Sequence, residues 1–130
     1  MEVKASAKYI AISPKKSRPI AKLLKNKKID QAMAFLQFEI KYAALPISKL
    51  IKAAVASAEE KGLDKDRLFI KSLTVDGGPV GKKQRIRARG RADLQKRRTS
   101  HITVILEEEK VKKDKKIVEN VKIKNNNTKK

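Results

Sequence analysis

The chain of 130 residues has no cysteine, which excludes disulfides and thiolate metal sites. It has one histidine, His101, too few for a zinc site or a histidine pair. Tryptophan is absent, and the aromatics are only Tyr9, Phe35, Phe38, Tyr42 and Phe69. No run approaches the roughly 20 apolar residues of a membrane span. Met1–Lys8 has no apolar stretch of the kind a signal peptide needs. These gaps lead to an intracellular, soluble protein that works inside a complex. Acids are also scarce: 14 Asp and Glu stand against 34 Lys and Arg, for a net charge of +20. Such a charge repels itself and favours a polyanionic partner. The length suits one domain.

What is present is concentrated. Nine cations lie between Lys82 and Arg98: Lys82, Lys83, Arg85, Arg87, Arg89, Arg91, Lys96, Arg97 and Arg98. Asp93 is the one acid among them, and six of the eight arginines are here. Arginine grips phosphate with a planar fork and stacks on bases, which lysine does less well. Strand-like runs flank the segment. Phe69, Leu73 and Val75 are expected to share one face of Leu68–Val75. Ile102, Val104 and Leu106 share a face of Ser100–Leu106. Asp76-Gly-Gly-Pro79 and Gly81 mark a bend or bulge where the first arm leaves the sheet. The reading is an antiparallel hairpin with an overgrown basic arm, residues 76–99. With about eleven extended residues per side, it reaches on the order of 35 Å. Alone it is marginal in water, so something outside the protein orders it.

The rest of the chain supplies a body. Val3, Ala5, Ala7 and Tyr9 alternate with Lys4, Ser6 and Lys8, predicting a half-exposed strand over Val3–Ile10. Ser13 as N-cap and Pro14 at the first position open a helix whose buried stripe is Ile20, Leu23 and Leu24. Pro19 either kinks it or moves its regular part toward Ser17. Lys15 and Lys16 have the wrong sign for that helix's first turn. Solvated lysines and a docked phosphate both fit this pattern. Asp30 is the expected N-cap of a short helix with Met33 and Leu36 in the core. A longer helix, about Ala44 to Lys61, buries Ile47, Leu50, Ile51, Ala54, Val55 and Ala58, and Gly62 ends it. Pro46 suggests that it starts close to that point. Residues 1–109 therefore make one α+β domain: a three-stranded antiparallel sheet packed against three helices, with the arm. Lys110–Lys130 is a basic tail, disordered or ordered by a partner.

Catalytic readings are weak. His101 as a base has no acidic or cysteine neighbour in sequence. Asp64 and Asp66 as magnesium ligands lack a glycine-rich phosphate loop. Asp93 more simply pairs with a neighbouring arginine, hydrogen-bonds a base or shapes the arm's end. No enzyme activity and no cofactor are expected. A nucleic-acid partner fits better. No aromatic lies in the arm, which speaks against single-strand stacking platforms there. Small residues and arginines on an extended arm suit penetration between folded RNA helices. A DNA-binding architectural β-arm is the nearest competitor, though such proteins usually dimerise and no dimer face shows here. A nuclease is the enzyme alternative.

Val75-Asp-Gly-Gly-Pro79, Arg87-Ala-Arg-Gly-Arg-Ala-Asp93 and Arg98-Thr-Ser-His-Ile-Thr-Val104 together resemble the L twenty-two family of large-subunit ribosomal proteins. Ser13-Pro-Lys-Lys16 and the alanine-rich helix to Glu59 resemble the rest of that pattern, over about residues 3–107. The chain departs from it at Pro19, Pro46, Ser57 and Val80–Gln84. The resemblance implies a small body on the outer surface of the large subunit and a hairpin running inward through ribosomal RNA. It implies a tip at Arg87, Ala88, Arg89, Gly90, Arg91, Ala92 and Asp93 that lines the nascent-chain tunnel. It implies a shaft at Lys82, Lys83, Arg97 and Arg98, and help with subunit assembly. The expected RNA-binding set is Lys15, Lys16, Arg18, Lys82, Lys83, Arg85, Arg87, Arg89, Arg91, Lys96, Arg97, Arg98, Ser100 and His101. Expected partners are large-subunit ribosomal RNA, neighbouring ribosomal proteins and the nascent polypeptide, with no membrane span and no homo-oligomer. The expected location is the cytoplasmic ribosome.

Overall fold

The computed structural model describes residues 1–109. The tail at 110–130 lies outside the described residues. Strand β1 spans Glu2–Ile10, helix α1 Pro14–Leu24, helix α2 Ile29–Phe38 and helix α3 Ala44–Glu60. Strand β2 spans Leu68–Ile86 and β3 spans Ala92–Glu108. The sheet is antiparallel in the order β1-β3-β2. The fold is α+β, as expected, with the helices over one face.

Strand β3 keeps strict alternation, and its Ile102, Val104 and Leu106 are fully buried. Its partners do not alternate so cleanly. In β2 the pairing steps from Ile70↔Leu106 to Ser72↔Ile105, so Lys71 is an extra residue. A bulge of this kind flips the parity of everything beyond it. The buried residues are therefore Leu68 and Ile70 before the bulge, and Leu73 and Val75 after it. Phe69, expected beside Leu73 and Val75, is instead on the other face and only partly buried. In β1 the register shifts between Ala7 and Ile10. Tyr9 there has a φ of 59° and is exposed, so it leaves the face of Val3, Ala5 and Ala7.

The helices confirm most of their stripes. Helix α3 buries Ala44, Ile47, Leu50, Ile51, Ala54, Val55 and Ala58. Pro46 falls in its first turn, where no N–H is missed. Gly62, at φ +77°, ends it while the Leu63 N–H donates back to the Ala58 carbonyl at 3.1 Å, the wrap that glycine permits after a helix. Helix α1 runs through Pro19 as one element and buries Ser17, Ile20, Ala21 and Leu24. Leu23, expected in that stripe, is exposed because it stands beside the i, i+3, i+4 row. Ser13 is the N-cap residue of α1 but makes no side-chain cap bond. The N-cap of α2 is Lys28 rather than Asp30, which lies in the first turn. Its negative charge still suits the helix's positive end.

The outer strands of the sheet are β1 and β2. Below the arm, the edge of β2 is covered by the α1–α2 connection: the Asn26 N–H donates to the Ile70 carbonyl at 2.8 Å and the Ile70 N–H to the Lys27 carbonyl at 3.0 Å. The guanidinium Nε of Arg18 donates to the Val75 carbonyl at 3.2 Å. These bonds pin the base of the hairpin to the helix layer.

Candidate nucleic-acid interface

Beyond Gly77 the hairpin leaves the body. Gly77 pairs with Ser100 and Val80 with Arg98, so Gly78 and Pro79 together face Thr99. This is the bulge anticipated at Asp76–Pro79. The Thr99 hydroxyl donates to the Pro79 carbonyl at 2.7 Å. A Cβ on Gly78 would lie 2.4 Å from Thr99 Oγ1 and 3.3 Å from the His101 ring, so the position needs glycine for close packing. Across the same root, the Tyr9 N–H donates to His101 Nδ1 at 3.0 Å. The two rings meet edge-on with centroids 4.8 Å apart. Accepting that bond places the proton of a neutral imidazole on Nε2. His101 is thus a structural partner of β1 at the arm's root, with Nε2 as its remaining polar atom.

From Val80 to Arg98 no residue is buried. The ladder continues nonetheless, through Lys82↔Lys96 and Lys83↔Gln95 to Ile86↔Ala92. Opposed residues share a face of the ribbon. One face carries Lys83, Arg85 and Arg97 with Asp93 and Gln95. The other carries Lys82, Lys96 and Arg98 with Val80, Ile86 and Leu94. Lys82 and Lys96 stand directly opposite each other, an arrangement that is unfavourable unless an anion lies against it. The arm therefore presents cations on both faces, suited to a partner that surrounds it rather than one that lies on one side.

The tip is a tight turn. The Arg87 N–H donates to the Arg91 carbonyl at 2.7 Å. Arg89 and Gly90 both adopt left-handed backbone, at φ 61° and 69°. Asp93 forms an ion pair with Arg87, the arginine pairing anticipated for it. Arg85, Ile86, Arg87, Ala88, Arg89 and Arg91 surround an open hollow of about 530 Å³.

The expected contact residues are not all gathered in one place. Lys82 to Arg98 form the arm, and Lys15, Lys16 and Arg18 lie on α1 in the body, exposed. Ser100 is fully buried with its hydroxyl unpartnered, as is Ser17 on α1. Ser100 has the parity of Ile102 and Val104, so its side chain points into the core and not toward a partner. Asp64, weighed as a metal ligand, pairs with Arg67 at 3.5 Å. On the open face of the sheet, Lys71 pairs with Glu2 and lies 3.2 Å from Glu107. The hydrogen bond that Lys71 donates holds the Glu2 carboxyl below the usual glutamate range, and the same bond, accepted by Glu2, raises the Lys71 ammonium. Sequence reasoning missed this trio because the Lys71 bulge that aims it was not visible.

Residues 5–107 match the model of the family described as Ribosomal protein L22p/L17e. The chain belongs to that family. Its relatives include the large ribosomal subunit protein uL22 of Pelotomaculum thermopropionicum, 45% identical over 111 residues, which covers 85% of this chain and 98% of the relative. The uL22 protein of Syntrophotalea carbinolica is 46% identical over 109 residues, 83% of this chain and 99% of its own. That of a Thermoanaerobacter strain is 40% identical over 109 residues, 83% and 98% respectively. The L22p/L17e match takes in β1 from Ala5 onward, all three helices and the entire arm, so the basic hairpin is part of the family's pattern and not an appendage to it.

Proposed function

We propose that this chain is a structural constituent of the large ribosomal subunit, bound to its ribosomal RNA in the cytoplasm and helping the subunit to assemble. The carrying observation is a paired ribbon from Val80 to Arg98 with cations on both faces and no buried residue, in a chain whose relatives are named as large-subunit proteins. Extended pairing without burial is marginal in water. Counterion release on meeting phosphates supplies the stabilisation that a core would otherwise give. The binding set on this reading is Lys82, Lys83, Arg85, Lys96, Arg97 and Arg98 on the shaft, Arg87, Arg89 and Arg91 at the tip, and Lys15, Lys16 and Arg18 on the body. His101 contributes through Nε2. Neighbouring ribosomal proteins are further partners. The chain acts by binding and shaping RNA rather than by catalysis, as a single copy.

The finer division of the arm belongs to the same proposal. The shaft is enclosed by RNA, and the tip, Arg87 to Asp93, faces the channel through which nascent polypeptide passes. The support is the change in construction at Ile86: ladder below it, a left-handed turn with an open hollow above it. Sedimentation of a cell lysate through sucrose tests the main reading. The chain is expected with large subunits, and its absence from them overturns the proposal.

A further inference from the structure

Large apolar side chains stand in solvent on and beside the α2–α3 connection: Phe38 is 86% exposed, Ile40 99%, Tyr42 75% and Leu45 57%. Two hollows adjoin here, of about 530 and 160 Å³, and Tyr42 lines both. Together they form one groove between the β1–α1 turn and the start of α3. Ile12, Pro19, Leu45 and Pro46 give it apolar walls, and Lys16, Lys41 and Lys49 stand around it. Among the described residues no acid lines either hollow. Glu39 lies 3.5 Å from Lys41 and offsets that one cation. Lys16 and Lys49 make no ion pair among the described residues.

We infer that this groove receives an unstacked RNA base, which lies against the ring of Tyr42 while the flanking phosphates meet Lys16 and Lys49. The inference rests on the RNA-binding reading but places a second contact on the body, away from the arm. An exposed aromatic ring bordered by cations, with apolar side walls and no facing carboxylate, is the chemistry that takes up a base with its backbone. A peptide partner would have to leave the lysines unanswered or bring its own acids to them. The scarcity of aromatics that argues against stacking in the arm does not apply here, since Tyr42 lies in the body.

The test uses the full chain and purified large-subunit ribosomal RNA as the probe, with affinity measured over a range of salt. Tyr42→Ala is expected to weaken binding by about 5- to 150-fold and to leave the salt slope unchanged, because no charge is removed. Tyr42→Phe keeps the ring and is expected to bind as the parent does. Lys16→Gln is expected to lower the salt slope by about one. Because Tyr42 is exposed, circular dichroism should show both Tyr42 variants folded. If Tyr42→Ala binds like the parent while Lys83→Gln weakens, the groove is not a base site although RNA binding stands. If the parent shows no salt-dependent binding, both readings fall. In assembled subunits, photo-crosslinking is expected to join the Tyr42 peptide to a nucleotide. A crosslink to another protein instead overturns the inference in favour of a peptide occupant.

Discussion

Strands β2 and β3 pass through two environments on one hydrogen-bond ladder. Below Gly77 their inner residues, Leu68, Ile70, Leu73, Val75, Ile102, Val104 and Leu106, are buried beneath helices. Above it, from Val80 to Arg98, every residue is exposed. Backbone pairing is the same in both halves, and burial is not. The difference shows that hydrogen bonds set the shape of the ribbon while burial sets its stability, since exchanging water for a protein partner yields little net free energy. The upper half is freed from core packing, so its side chains can be chosen for a partner.

The largest effect should come from the lower half. Leu106→Ala is expected to cost about 2–5 kcal/mol in urea unfolding, by loss of transfer energy and by the cavity left. Ile86→Ala, at the top of the same ladder, should stay within about 0.5 kcal/mol of the parent. A comparable loss at Ile86 would break the comparison, because it would mean the arm has a core of its own.

Next in size is the converse experiment. Replacing Lys83, Arg97 and Arg98 together with Gln should leave the urea midpoint unchanged. It should lower the slope of log affinity against log salt by about 2–3 for ribosomal RNA and reduce the yield of large subunits. Deleting residues 89–91 should spare both the fold and most incorporation. Its readout is altered footprinting of tunnel-directed inhibitors. A tip deletion that blocks assembly as fully as the triple replacement does would merge shaft and tip into one role.

A smaller effect is expected at Gly90. Its φ of +69° is left-handed, where a Cβ costs about 1–2 kcal/mol. Gly90→Ala should fray the Ile86↔Ala92 end, seen as faster amide exchange there, with exchange in the body unchanged. Smallest of all is the surface trio on the sheet's open face. The lowered Glu2 carboxyl contributes stability that is present above the ordinary glutamate range and is lost as pH falls through that range and below it. The raised Lys71 ammonium loses its contribution only as pH rises past the ordinary lysine range. Glu2→Gln should therefore differ slightly from the parent near neutral pH, and the difference should vanish in acid. The shift is small because the pair is exposed and screened.

The same contrast explains what could be read from the chain without its structure. The stripe of α3, the alternation Ile102-Val104-Leu106 and the glycine-proline bulge at the arm's root were legible, because each is a local pattern with one physical cause. Phe69 and Tyr9 were misplaced because bulges at Lys71 and near Tyr9 reverse the faces. An extra residue is defined by the partner strand, which local sequence does not reveal. Leu23 was misassigned by one position along its helix and Asp30 by two, where apolarity and capping chemistry permit neighbouring choices. Ser100 was expected in the RNA-binding set and lies in a stretch that carries the family resemblance, yet strand parity turns its side chain inward. The arm's cations were visible at once, whereas the Tyr42 groove needs two separated segments, 10–19 and 41–49, to come together.

Among the described residues strand β1 pairs only with β3, joining Glu2 to Glu107 at the two ends of the domain. During synthesis the first strand emerges while its partner is still unmade. At roughly 5–20 residues per second, the wait is about 5–20 s. The hairpin of β2 and β3 cannot shorten it, because β3 is made last. A strand left so long without a partner is a hazard if it is sticky. The composition of β1 answers that hazard: Lys4 and Lys8 alternate with the small Ala5 and Ala7, and Val3 is its one fully buried apolar residue. The strand gives up grip in the finished sheet and remains harmless until the last strand of the domain has been translated.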